Sequence, residues 1–415
     1  MEIAFEEWNL YARRRELRER EVDFSRIESN ARDKIVAITG IRRSGKSSLL
    51  MLLLQRLLRR GERAAYINLE DSRIKSSKTA LDDVIKWFGD SGYLLLDEIT
   101  NAHDWENWLL RAHELLKGRL FLIVTSSRRR LIVPSKPLRG RIIPEEIYPL
   151  SFREFLRFKG IEVERTTAGI GRLERALEEY LIYGGFPEVV LSEDRVDKIR
   201  ILNSYFRDII VLDVAEVAEE SVTLTEIFGK YVIETPYFSA SKCHNFLKSL
   251  GFRIGKDSIL KLERISQESY LFFFIPIFSR SIKNRLQYPR KAYLGDTGFM
   301  YAISGRVDMG RIFENTVFLE LRRRMRPNQN IGYWRNREGL EVDFLLLEGI
   351  RAEGMIQVSY DIDRSEKREI KGLISCSKET GLKEGIIITR DKESIRRVDG
   401  VEIRLIPLWK WLIEG

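Results

Sequence analysis

The chain has 415 residues, 44% of them hydrophobic and 32% charged, and it carries a net charge of +9. This balance excludes a fibrous or disordered polypeptide and leaves a globular one, long enough for two or three domains with separate cores. The positive excess favours an anionic partner such as nucleic acid, while two cysteines far apart, Cys243 and Cys376, exclude a disulfide framework or zinc site and point to a reducing cytoplasm.

The N-terminus, Met1-Glu2-Ile3-Ala4-Phe5-Glu6-Glu7-Trp8, is acidic where a secretory leader is basic and then apolar. The longest apolar run, Tyr270 to Phe278, is too short to span a bilayer, so no membrane association is expected. Abundant Lys, Arg and Glu with few Cys, Met and Gln point to a thermophile.

In chain order, residues 8–21 read as a charged helix with Arg13-Arg14-Arg15 on it, presenting a solvated face or a subunit or nucleic-acid contact. An α/β pattern begins at Lys34. Ile35-Val36-Ala37-Ile38 is a strand, Lys46 to Arg59 a helix, and Ala64-Ala65-Tyr66-Ile67, Tyr93-Leu94-Leu95-Leu96 and Leu120-Phe121-Leu122-Ile123-Val124 are further strands. Unbroken apolar strands alternating with helices imply a parallel sheet covered on both faces. After Pro149 the pattern is helical from Phe152 to about Val214, interrupted at Gly184-Gly185-Phe186-Pro187. Short helices follow around Gly251 and Gly255, then an aromatic strand, Tyr270-Leu271-Phe272-Phe273-Phe274. A second α/β unit starts at Gly310, with strands at Val342-Asp343-Phe344-Leu345-Leu346 and Gly385-Ile386-Ile387-Ile388.

The segment Gly40-Ile41-Arg42-Arg43-Ser44-Gly45-Lys46-Ser47 satisfies G-x-x-x-x-G-K-[ST] between a strand and a helix, and Ser48 continues it. Glycines let main-chain N–H groups turn inward around phosphates, and the helix N-terminus adds donors and a favourable dipole. Lys46 is expected on the β- and γ-phosphates of ATP and the Ser47 hydroxyl on Mg²⁺. Asp97 and Glu98 end an apolar strand that holds them at the carboxyl edge of the sheet. Asp97 suits Mg²⁺ coordination through water, and Glu98 suits polarisation of the attacking water. Thr125-Ser126-Ser127 closes the fourth strand; Ser126 is taken as a catalytic hydroxyl, although Ser and Thr also end strands for no chemical reason. Arg128-Arg129-Arg130 and Arg139-Gly140-Arg141 offer arginine fingers to a neighbouring subunit or form a solvated basic loop. Arg139 and Arg141 are the preferred catalytic candidates.

These residues, with Leu96-Asp97-Glu98, Leu138-Arg139-Gly140-Arg141, Tyr148-Pro149-Leu150-Ser151-Phe152-Arg153-Glu154-Phe155, Gly184-Gly185-Phe186-Pro187, Asp296-Thr297-Gly298, Phe313-Glu314-Asn315 and Glu341-Val342-Asp343-Phe344, give a sequence that resembles the prokaryotic, largely archaeal AAA+ type ATPases with a C-terminal nuclease-like domain. The resemblance spans most of the chain. It implies an α/β fold class: a P-loop AAA+ core over 1–155, a helical lid over 156–215, a winged-helix-like segment over 216–300 and a restriction-nuclease-like α/β domain over 301–415. It also implies a homo-oligomer, a ring such as a hexamer or another oligomeric assembly.

In restriction-type folds an Asp and an acid two residues before a Lys hold Mg²⁺, and the Lys meets developing charge. Asp343 takes the first position, but Met355-Ile356-Gln357-Val358-Ser359 puts Gln357 and Ser359 where the acid and the Lys belong. Glu314 or Glu320 is a further candidate carboxylate. A site short of a ligand and a cation is expected to be an inactive, nucleic-acid-binding remnant. Between the α/β units, Ser239 to Leu247 and Lys256 to Leu262 resemble a helix-turn-helix, or a plain packed helix pair. Arg280, Lys283, Arg285, Arg290 and Lys291 nearby favour DNA as its partner. Three functions remain: a DNA-associated ATPase, a nucleotide-dependent switch or scaffold for protein partners, and an ATP-regulated nuclease.

Overall fold

The structure is a computed structural model and describes residues 1–127 and 138–414. The chain divides into two compact units, Met1–Tyr148 and Pro149–Gly415.

The first unit is built on five parallel strands, β1 (Ile35–Thr39), β2 (Ala64–Asn68), β3 (Gly92–Asp97), β4 (Leu120–Ser126) and β5 (Ile142–Glu146), in the order β2-β3-β4-β1-β5. The inner strands are apolar along their length because helices cover both faces, leaving two cores, one on each side of the sheet. This is the parallel α/β arrangement of a P-loop AAA+ core. Strand β5 is not legible in the sequence: Ile142-Ile143-Pro144-Glu145-Glu146 is half exposed and contains a proline, which a sheet tolerates only at its edge.

The charged helix lies earlier than the sequence suggests. Helix α1 runs Glu2–Arg14 and buries Ala4, Phe5 and Ala12, while Asn9 accepts the Tyr66 N–H of β2 at 3.3 Å. Arg15 is extended and the residues after it are not helical. Past Arg14 the alternating Arg and Glu offer no apolar stripe to pack. Helices α2 (Phe24–Asp33) and α3 (Lys46–Arg59) complete one face.

The second unit opens with helices Phe152–Lys159, Thr167–Tyr183, Pro187–Leu191 and Arg195–Asp208. A helix Val222–Glu234 then leads to β6 (Tyr237–Phe238), helices Ala240–Ser249 and Lys256–Glu268, β7 (Phe272–Ile275), a short helix Ile282–Gln287 and β8 (Arg290–Leu294). These strands pair antiparallel in the order β6-β8-β7. After helices Gly298–Ser304 and Met309–Arg324 comes a six-stranded sheet of β9 (Gln329–Arg335), β10 (Glu341–Glu348), β11 (Arg351–Ser359), β12 (Glu384–Thr389), β13 (Ser394–Val398) and β14 (Val401–Pro407). Its order is β13-β14-β12-β11-β10-β9, with helix Ile362–Thr380 closing the core on it.

Two short motifs of the sequence meet here. Asp296 is 2% exposed, and its carboxylate accepts the N–H of Gly185 at 2.8 Å and of Gly298 at 2.9 Å. Gly184 has φ +75°, and a Cβ on it would stand 1.7 Å from Asp296 Oδ1, so only glycine fits.

Candidate functional site

Strand β1 ends at Thr39 and the chain turns through Gly40 to Gly45 into α3. Gly40 is required because a Cβ would lie 2.1 Å from the Ile147 carbonyl oxygen, and Gly45 has φ +98°. Arg43 is left-handed too, at φ +69°. Such backbone is uncommon outside glycine and concentrates where a loop is bent around a ligand. The loop is braced from outside: Arg20 donates to the Ser44 carbonyl at 2.8 Å and the Tyr148 carbonyl at 3.0 Å. Arg42 lies 3.7 Å from Glu70. Lys46 is 4% exposed and donates to the carbonyls of Gly40 at 3.0 Å and Ile41 at 3.1 Å.

Across the carboxyl edge of the sheet, β4 stands between β1 and β3. Asp97 is 1% exposed; the Tyr66 hydroxyl donates to its Oδ2 at 2.7 Å and the Thr125 hydroxyl to its Oδ1. Thr125 Oγ1 in turn accepts the Glu98 N–H at 2.8 Å. Glu98 sits at φ +51°, its Oε2 accepts the Ser127 N–H at 3.3 Å, and its Oε1 lies 3.9 Å from Lys46 Nζ. Burial raises the Glu98 pKa, and Lys46 opposes that rise. A carboxylate perturbed in this way marks Glu98 as a candidate functional residue.

The phosphate loop, Lys46, Asp97 and Glu98 therefore converge. Ser47 and Ser48 lie in the first turn of α3. The fit to a nucleotide rests on more than the motif: the loop presents a helix N-terminus, and Ser44 Oγ is buried with no hydrogen-bond partner. Ser126 is buried opposite Thr39, and its Oγ lies 3.5 Å from Thr100 Oγ1. The hydroxyl that touches both acidic residues is Thr125, its neighbour. Alternation along a strand sends adjacent side chains to opposite faces, so one residue decides which hydroxyl reaches the site. Tyr66 was invisible for another reason, since it comes from a strand read only as apolar.

Arg139 is exposed, and Arg141 pairs with Glu114 at 2.5 Å. Both precede β5, whose first residue is level with Ile35, so they stand at the amino edge of the sheet and do not join their own phosphate loop. Arg128, Arg129 and Arg130 lie outside the described residues.

The second acidic constellation differs from its expectation. Asp343 lies beside a cation after all, supplied by Lys291 of β8 rather than by the position of Ser359. Lys291 is 5% exposed and contacts Asp343 and Glu341 at 2.7 Å each and Glu314 at 2.9 Å. It is thus no DNA-facing residue, and Arg290 is likewise paired, with Glu263. Gln357 accepts the Asp343 N–H at 3.0 Å and donates to Glu369 at 2.7 Å, while Ser359 meets Ser365 at 2.7 Å. Glu320 does not belong to the cluster; it is held by Arg323 and Arg324. No helix among the described residues is long and apolar enough to cross a membrane.

Residues 32–156 match the AAA domain family. Residues 174–309 and 309–411 match two families described as domains of unknown function, DUF8612 and DUF4143. The uncharacterized protein MJ1544 of Methanocaldococcus jannaschii is 32% identical over 401 residues, 91% of this chain and 88% of its own. An uncharacterized protein of Haemophilus influenzae is 27% identical over 401 residues, 92% of this chain and 96% of its own. Among solved structures, AMPPCP-bound DnaA from Aquifex aeolicus aligns over 59% of this chain and 92% of its own at 15% identity, with a TM-score of 0.29, too low to bear on fold or function.

Proposed function

The chain belongs to the same family as the Methanocaldococcus jannaschii protein MJ1544, with an AAA domain at its head, and we propose that it binds ATP with Mg²⁺ and hydrolyses it. The observation that carries this reading is the meeting of Lys46, Asp97 and Glu98 at one edge of the sheet, with Thr125 joining the two acids. Gly40 to Ser48 would hold the phosphates, Ser47 and Asp97 would hold Mg²⁺, and Mg²⁺ would supply charge neutralisation of the phosphates. Glu98 takes the role of orienting water and accepting its proton. Lys46 steadies the phosphate charge, and Ser126, next to Thr125 in the chain, is a further candidate hydroxyl. Arg139 and Arg141, at the opposite edge, are suited to act on a neighbour's site, which makes the working form a homo-oligomer.

The same reading makes DNA the partner. Helix, strand, two helices and the strands β7 and β8, with the sheet order β6-β8-β7, support a winged-helix reading. Residues 239–290 carry ten Lys and Arg against three acidic residues, and Lys242, Lys248, Arg253 and Lys256 are exposed on the helix pair and its turn. Such a surface suits the phosphate backbone of a duplex. A second reading, a nucleotide-dependent switch for a protein partner, is favoured by apolar residues on the same helices, Phe246 at 37%, Leu250 at 52% and Leu260 at 43% exposure. The two buried, unpaired cysteines suit a reducing cytoplasm.

One experiment separates these readings: ATP turnover over a range of protein concentrations, with and without duplex, branched and single-stranded DNA. Turnover that rises with protein concentration and with DNA, and loses the DNA response steeply as salt is added, is the expected result. Turnover indifferent to DNA supports the switch, and no turnover under any condition refutes the hydrolase.

A further inference from the structure

The nuclease-like reading of the C-terminal sequence implies a divalent cation between carboxylates. The residues at that place do not fit one. Glu314 on helix Met309–Arg324, and Glu341 and Asp343 on β10, each direct an oxygen to Lys291 Nζ, at 2.9, 2.7 and 2.7 Å. An ammonium has three N–H donors; Lys291 donates to Glu314 and Asp343 and forms a further ion pair with Glu341. Further donors hold the same three carboxylates. Asp343 Oδ2 accepts the Val358 N–H at 2.9 Å, Glu341 Oε2 accepts the Tyr237 hydroxyl, and the Tyr293 hydroxyl donates to Glu314 at 2.6 Å. Arg335 stands 3.9 Å from Glu341, and Arg311 lines the same cavity of about 100 Å³.

Burial works against a charge on Lys291, but the surrounding carboxylates outweigh it and hold the ammonium well above its ordinary pKa. The surroundings favour the charged form of Lys291. Among the described residues no group of three or more acidic, His or Cys side chains is arranged to hold a metal ion, and here the centre of the group is Nζ itself.

We propose that Lys291 is a built-in cation seated where a divalent metal would otherwise bind, so that the Glu314–Glu341–Asp343 cluster excludes Mg²⁺ and Mn²⁺. Magnesium and ammonium need the same oxygens, at about 2.0–2.1 Å and about 2.7–2.9 Å respectively, and one centre cannot serve both. The local charge is already countered by Lys291, Arg311 and Arg335, so an entering metal would have to displace a buried ion pair and leave its ammonium stranded. The inference stands on this cluster alone and is independent of the phosphate-loop reading.

The test is Mn²⁺ binding to the full chain without nucleotide, followed by electron paramagnetic resonance. The wild type is expected to show no Mn²⁺ whose binding is lost in Asp343→Asn. Lys291→Met is expected to gain one site, at least about tenfold tighter than any in the wild type, and Lys291→Met with Asp343→Asn to lose it. A wild-type site that disappears in Asp343→Asn overturns the proposal, and this arm needs no lysine variant to fold. A folded Lys291→Met protein, judged by circular dichroism, that gains no Mn²⁺ overturns it as well.

Discussion

Two buried lysines, one in each unit, stand beside carboxylates and do opposite things. Lys46 is held by two main-chain carbonyls, with Glu98 Oε1 at 3.9 Å. Lys291 is held by three carboxylates within 2.9 Å. Carbonyls are dipoles: they position an ammonium without cancelling its charge, which leaves that charge available to an anion. Carboxylates cancel it, and the side chain becomes a structural counter-ion. What surrounds a buried cation, more than its burial, separates a binding residue from a packing one.

This contrast is open to direct attack. The largest effect is expected from Glu98→Gln, which keeps the shape of the site and removes the proton acceptor: ATP turnover should fall ~10²–10⁴-fold while equilibrium nucleotide binding persists. Wild-type turnover in this variant would remove Glu98 from the mechanism. Lys46→Ala should lower turnover ~10²–10³-fold and also weaken nucleotide binding, with little change in denaturant stability. Lys291→Met should do the reverse. It strands three carboxylates, so denaturation should show a loss of about 3–5 kcal/mol, with ATP turnover per folded molecule unchanged. If both lysine variants lost stability equally, the distinction drawn between them would be wrong. The smallest effect is expected from Tyr66→Phe, which deletes one hydrogen bond to a buried carboxylate. It should cost about 1.5–3 kcal/mol of stability and raise the Mg²⁺ concentration needed for half-maximal turnover.

The contrast also explains what could be read from the sequence. The phosphate loop is eight consecutive residues, and Asp97-Glu98 directly follows an apolar strand, so local pattern suffices. The edge strand β5 and the end of α1 were obscured because neither carries a full apolar periodicity. The Lys291 cluster draws on β8, a helix and β10, segments 23 to 52 residues apart, and no spacing rule joins them. Reading the missing Lys at Ser359 as a missing charge assumed that the cation must come from the neighbouring strand. Burial of three carboxylates requires a cation from somewhere, and the fold supplied it from the adjacent sheet.

Asp296 has a consequence for how the protein is made. It fastens a turn at Gly185, 111 residues earlier in the chain, and the fastening is complete only when Gly298 has joined it. The first unit, Met1–Tyr148, closes its sheet with β5. A ribosome adding ~5–20 residues each second takes roughly 8–30 s to travel from the end of that unit to Gly298. During this interval the first unit is fully synthesised, while the helices that follow it lack the Asp296 clasp. Slowing elongation just after residue 148 should then favour soluble protein, and substitution of Asp296 should lengthen the time for which newly made chains stay bound to chaperones.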